Sequence, residues 1–254
     1  MSGRGTPTVV VTGASGGIGR GVALACAAHG WEVWVAARRG PAAAAVADEV
    51  TAAGGTGRSV VCDVGDEASV TAAVEEVVST SGSLDGLVHN ATSGWSSHAG
   101  PATETTPDRL EDHVAVATRG LYLWARAARP HLVATRGSLV VMTSEAAFEG
   151  KRLLTAYAMV KAQQRAMVAV LAREWGPDGV RVNAVAPLGA SPAMARAFVS
   201  DPAMEARVMG RIPLGRLGDA TDDIGVAVRF LLGADARFVT GQTLVVDGGS
   251  CPAW

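Results

Sequence analysis

The chain has 254 residues, 48% hydrophobic and 18% charged, which is ample apolar material for one α/β domain with a sizeable core. Its formal net charge is −2 with no block of like charge, so it lacks the electrostatic footprint of a nucleic-acid or anionic-membrane binder and points to small-molecule partners. No stretch approaches the ~20 apolar residues of a membrane span, Met1 to Pro7 is too short and polar for a signal sequence, and three distant cysteines (Cys26, Cys62, Cys251) fit reduced thiols, so a cytoplasmic protein is expected.

Val9-Val10-Val11-Thr12 is a short β-branched run, followed by the turn Gly13-Ala14-Ser15-Gly16-Gly17-Ile18-Gly19 and an alanine-rich helical segment to about His29. Glycines between a strand and a helix permit a tight turn and let the backbone approach a pyrophosphate at the helix N-terminus. The second strand, Glu32 to Ala36, leads into Ala37-Arg38-Arg39. A free ribose 2′-hydroxyl calls for an acidic residue there, whereas two arginines pair with a 2′-phosphate, which favours NADP(H) over NAD(H). Alanine-rich segment 41–54, with Pro41 suited to a first turn, reads as a crossover helix. Further apolar runs at Ser59 to Cys62, Leu84 to His89, Ser138 to Thr143, Val180 to Ala186 and Thr243 to Val246 bring the strands to about seven. Strands alternating with helices imply a doubly wound parallel sheet, and no linker or repeat divides the chain, so a single α/β domain is expected over 1–254. Leu188 to Arg211 departs from the alternation and reads as a small helical flap over a pocket. The five histidines (His29, His89, His98, His113, His131) show no paired ligand spacing, and no metal is assigned.

Of 22 basic residues only two are lysines, and only two tyrosines occur, yet one of each stands in Tyr157-Ala-Met-Val-Lys161. On a helix, positions i and i+4 share a face, so the Lys161 ammonium is expected to approach the Tyr157 phenol and favour its ionised form.

In order along the chain, these residues resemble the short-chain dehydrogenase/reductase family. Thr12-Gly13-x-x-x-Gly17-x-Gly19 is similar to its dinucleotide turn, Asp63-Val64 to its adenine-contacting pair, and Asn90-Ala91 to part of its Asn-Asn-Ala-Gly segment. Ser144, 13 residues before Tyr157, and Tyr157-x-x-x-Lys161 resemble its active-site string, while Arg181-Val-Asn183-Ala-Val-Ala-Pro187 and Val246-Asp247-Gly248-Gly249 resemble its downstream signatures. The resemblance implies a Rossmann-type fold, with a dinucleotide-binding part at about 8–140 and a catalytic and substrate part at about 141–254. It implies that Tyr157 is the general acid and base, that Ser144 hydrogen-bonds the reacting oxygen, and that Lys161 tunes the phenol and holds the nicotinamide ribose. Asn90 and the backbone near Pro187 would line the cofactor groove, with Ser191 in place of a threonine that contacts the nicotinamide amide. Trp95, Phe148, Met194 and Phe198 would surround the substrate, suggesting a bulky hydrophobic or cyclic ketone. The helix before the Ser144 strand and the Tyr157 helix, where Met167 and Leu171 recur among alanines, would pack against symmetry mates in a homodimer or homotetramer.

Ala117 stands where the family has a catalytic asparagine, thought to hold a water linking the lysine to solvent. A methyl cannot do this, which leaves His113 or Thr118 as substitutes. His89 and Thr92 replace an asparagine and a glycine, and Leu188 replaces a glycine. The favoured expectation is an NADP(H)-dependent oxidoreductase interconverting a ketone and a secondary alcohol. The alternative is an NADP(H)-binding regulatory or redox-sensing protein with little turnover.

Overall fold

Val9, Val10 and Val11 are wholly buried, as a strand covered by helices on both faces requires. The computed structural model describes residues 5–251, so the expectation for Met1 to Pro7 and the end of the 141–254 part fall partly outside them. Seven strands run β1 Thr8–Thr12, β2 Glu32–Ala37, β3 Thr56–Val61, β4 Gly86–His89, β5 Ser138–Met142, β6 Arg181–Pro187 and β7 Thr243–Val246. They form one sheet in the order β3-β2-β1-β4-β5-β6-β7, and every pairing is parallel. Helices α1 Gly17–Ala27, α2 Gly40–Ala52, α3 Glu67–Ser81, α4 Pro107–His113, α5 Gly120–Thr135, α6 Ala146–Glu149, α7 Thr155–Trp175, α8 Pro192–Ser200, α9 Pro202–Met209 and α10 Val226–Leu232 complete the chain.

Alternation along each strand feeds two cores. Val10, Leu87 and Leu139 point to one face, where α3, α5 and α7 supply Val74, Trp124 and Val168. Val9, Val11 and Val140 point to the other, against Val22 of α1, Val46 of α2 and Leu231 of α10. Between β1 and β4 the strand order reverses direction. In a doubly wound sheet this reversal opens a crevice beyond the strand ends, where ligands are held.

Two stretches depart from regular winding. Val114–Arg119 joins α4 to α5 as a π-helical segment that includes Ala117, and Ala220–Gly225 leads into α10 in the same way. The expected flap is two short helices, α8 and α9, each opened by a proline. Strand β3 begins at Thr56 rather than Ser59, and its side chains are half exposed because it is a sheet edge. No helix among the described residues is long and apolar enough to cross a membrane.

Candidate active site

A cleft of about 1080 Å³ lies over the ends of β1, β2, β4, β5 and β6. At one end the glycine turn is shaped by close approach. Gly13 has φ +65°, and a Cβ on it would sit 2.8 Å from Ala91 Cα, while one on Gly19 would sit 2.5 Å from Asn90 Nδ2. Asn90 Nδ2 donates to the Thr12 and Gly13 carbonyls, both at 3.1 Å, so Asn90 locks the turn to β4 as well as lining the cleft. Gly19→Ala is therefore expected to displace the Asn90 amide and cost roughly 1–3 kcal/mol by overpacking. An unchanged melting temperature would contradict this reading.

Helix α1 has Gly16 as its N-cap, with no side-chain cap and no acidic residue in its first turn, and Gly16, Gly17 and Ile18 line the cleft. Uncapped N–H groups with the positive end of the helix dipole suit a pyrophosphate, and open space beside Gly16 leaves room for one. Gly13, Ser15, Arg38, Arg39, Asp63, Val64, Ala91, Pro187 and Ser191 share the same wall, while Gly19 lies behind it. Ser191 Oγ accepts the Met194 N–H at 3.1 Å, so this hydroxyl caps α8. Asp63 accepts the Gly65 N–H at 3.0 Å within its loop. Asn183 bonds Val239 and Gln242, and Asp247 bonds Gly249 and Cys251, tying loops together.

At the other end Ser144, Tyr157 and Lys161 line one wall. The Ser144 hydroxyl accepts the Ala146 N–H at 3.2 Å and acts to lower the Tyr157 phenol. The phenol shifts opposite to the direction expected from the helix spacing. Burial raises Tyr157, opposed only by the Ser144 bond, and Lys161 is not among the causes. Instead, burial pushes Lys161 down to about 7. Its Nζ lies 5.6 Å from the Tyr157 ring centroid and donates to the Met142 carbonyl at 2.7 Å and to Gln164 Oε1 at 3.0 Å.

Neither proposed substitute for the missing asparagine reaches the lysine by hydrogen bond. Thr118 bonds Gln163 at 2.7 Å near the surface, and the His113 ring stands 6.5 Å from the Tyr157 ring, centroid to centroid. Gln164, which sequence reasoning passed over, touches both Lys161 and the Ala117 carbonyl. Its signal was its place three residues after Lys161, on the same helix face.

Of the four expected substrate residues, Met194 lines the cleft, joined by Met204 of α9, while Trp95, Phe148 and Phe198 do not. Trp95 packs with His98 and under the Arg109 guanidinium, and the Arg165 guanidinium lies 4.3 Å over the Phe148 ring. The cleft is also lined by the cations Lys151, Arg152, Arg196, Arg207 and Arg211. Three pair with carboxylates, Lys151 with buried Glu145, Arg207 with Asp201, and Arg211 with Glu149. Arg152 and Arg196 are exposed and make no ion pair among the described residues. Among the described residues no group of three His, Cys, Asp or Glu side chains could hold a metal ion.

A parallel sheet that opens at its reversal point onto an uncapped helix end, with a serine, tyrosine and lysine beyond, defines a dinucleotide-binding α/β oxidoreductase. A family model described as Enoyl-(Acyl carrier protein) reductase matches residues 13–250. L-rhamnose 1-dehydrogenase (NAD(P)(+)) of Azotobacter vinelandii is 34% identical over 248 residues, covering 95% of each chain. The 3-oxoacyl-acyl-carrier-protein reductase FabG of Staphylococcus aureus is 34% identical over 246 residues, covering 96% of this chain and 98% of its own. A solved short-chain type dehydrogenase/reductase from Mycobacterium ulcerans superposes with TM-score 0.90 at 31% identity, over 96% of this chain and 90% of that one. The chain belongs to the short-chain dehydrogenase/reductase family and is an NAD(P)-dependent enzyme of that family.

Proposed function

We propose that this single-domain protein is an NADP(H)-dependent oxidoreductase that interconverts a ketone and a secondary alcohol, with Tyr157 as general acid in reduction and general base in oxidation. What supports the reading is one cleft that carries Ser144, Tyr157 and Lys161 at one end and the uncapped α1 N-terminus with Arg38 and Arg39 at the other. When bound, the cofactor supplies the hydride. The protein's part is to hold the carbonyl oxygen between Ser144 and Tyr157 and to deliver the phenolic proton to it as negative charge develops. Burial raises the phenol, so it is protonated at neutral pH, the form that donates in reduction. Gly13, Ser15, Gly16, Gly17 and Ile18 would cradle the pyrophosphate, with Gly19 allowing the close packing behind them. Asp63 and Val64 would flank the adenine. Asn90, Ala91, Pro187 and Ser191 would bound the nicotinamide side.

Unpaired Arg152 and Arg196 at the substrate end suit a carbonyl compound that carries a carboxylate or phosphate better than a bulky apolar ketone, with Met194 against its aliphatic part. Following NADPH absorbance over a panel of oxo acids, their neutral methyl esters and cyclic ketones tests the reading. Turnover should favour the acids over their esters, and no turnover on any carbonyl compound would overturn the oxidoreductase assignment.

Burial raises Cys26 to about 12 and Cys62 to about 11, so these thiols are poorly suited to redox sensing, and they fit a cytoplasmic setting. Met167 and Leu171 pack inward, whereas Tyr122, Met159 and Val170 on α5 and α7 are exposed. A homodimer or homotetramer through these helices is expected, and a monomer by light scattering at micromolar concentration would contradict it.

A further inference from the structure

Gln164 is wholly buried on α7 and committed at both ends. Its Oε1 accepts from Lys161 Nζ at 3.0 Å and its Nε2 donates to the Ala117 carbonyl at 2.9 Å. An ammonium only donates and a carbonyl only accepts, so the amide cannot be turned round without losing both bonds. Ala117 lies in the π-helical segment, where altered winding turns a backbone carbonyl towards α7. At Lys161, the Met142 carbonyl and Gln164 Oε1 take two of the three N–H bonds. The remaining valence is left for the cleft wall that Lys161 shares with Tyr157.

We propose that Gln164 is a positioning residue: with the Met142 carbonyl it anchors two N–H bonds of Lys161 in both protonation states, so that the proton Lys161 gains or loses is the one facing the cleft. A neutral amine keeps two N–H bonds. Both acceptors therefore remain satisfied after deprotonation, and a lone pair replaces the third N–H without movement of a heavy atom. Lys161 can then take up or release a proton on the side of Tyr157 and never on the side of the core.

The surrounding groups leave this role to dipoles and not to charges. His89, at the end of β4, is driven to about 3 by burial and, less strongly, by the Lys161 charge, against the pull of the Ala117 and Val116 carbonyls. Thr12 Oγ1 accepts the Asn90 and Ala91 N–H groups and lies 3.4 Å from His89 Nδ1. His113, from α4, is lowered by burial first, raised by Asp112, and lowered again by Arg109 and Lys161. Among the described residues no carboxylate forms an ion pair with Lys161. The oxygens of Gln164 and Met142 hold its charged form.

The consequence for turnover rests on the oxidoreductase reading, but the test does not. Lys151 and Lys161 are the only lysines, so protein labelled with ¹³Cε-lysine gives two titrating resonances, assigned with Lys151→Arg. Gln164→Leu removes an acceptor from the charged form and should lower the Lys161 midpoint by about one unit. Gln164→Glu places a carboxylate at the same point and should raise it by about one unit or more. Opposite shifts of one resonance, with that of Lys151 unmoved, are not expected from loosened packing. Should Gln164→Leu fail to fold, the near-isosteric Gln164→Glu carries the test alone. Folded variants in which Lys161 titrates as in the wild type would overturn the proposal. In NADPH turnover, Gln164→Leu should lower kcat by about tenfold with a smaller change in the KM for NADPH, and equal changes in the two would count against it.

Discussion

Tyr157→Phe should reduce the rate of carbonyl reduction by about 10²–10⁴-fold, the span of a single positioned proton donor, while NADPH still binds. In the proposed mechanism the phenol supplies the proton to the carbonyl oxygen that Ser144 also bonds, and burial moves the phenol further from ionisation. Removing only the hydroxyl leaves the ring in position, the α1 N-terminus uncapped and Arg38 and Arg39 untouched, so affinity for the dinucleotide has no reason to change. Single-turnover absorbance at saturating NADPH reads the chemical step, and fluorescence titration reads binding. Parallel loss of both would place Tyr157 in cofactor binding and remove it as the proton donor. Ser144→Ala should lower the same step by a smaller factor, because it removes one hydrogen bond to the oxygen but not the proton itself.

The second large effect concerns the cofactor. Arg38→Asp should weaken NADPH by one to two powers of ten, at about 1.4 kcal/mol each, and improve NADH relative to it. Arg38 and Arg39 stand exposed in the cleft where β2 ends, and Arg39 is also the N-cap of α2. Two guanidinium groups beside the positive end of a helix favour a phosphate dianion there. An aspartate repels that dianion and offers an acceptor to a ribose hydroxyl instead. Competitive titration of both cofactors against both proteins checks it, and equal affinity of the wild type for NADPH and NADH would remove the arginines from this role.

Much of the fold was legible because its physics is local. A strand covered on both faces must be apolar along its length, and β1, β2, β4, β5 and β6 are short β-branched or aliphatic runs that announce themselves. The edge strand β3 was read three residues short because Thr56-Gly57-Arg58 faces solvent on alternate residues and carries no apolar signal. The glycine turn, the paired arginines, and Ser144, Tyr157 and Lys161 stand out as candidates because their spacing along the chain already encodes their placement on a turn, a strand end and a helix face. All of them but Ala14 and Gly19 line one cleft.

What the sequence could not determine depends on groups that meet from distant parts of the chain. Gln163 and Gln164 are neighbours, yet one bonds Thr118 near the surface and the other is wholly buried between Lys161 and Ala117, 47 positions before it. The π-helical winding that presents the Ala117 carbonyl arises where α4 passes into α5 against α7, and no residue type marks it. Trp95 and Phe148 stack against Arg109 and Arg165 and do not line the cleft, whose lining includes cations of the 151–152 loop and of α8, α9 and the residues just beyond. The direction of each shift at Tyr157 and Lys161 was likewise a matter of burial. Residue spacing established that a phenol and an ammonium share a helix face, but only the packed structure established how far each is removed from water, and desolvation is the leading cause of both shifts.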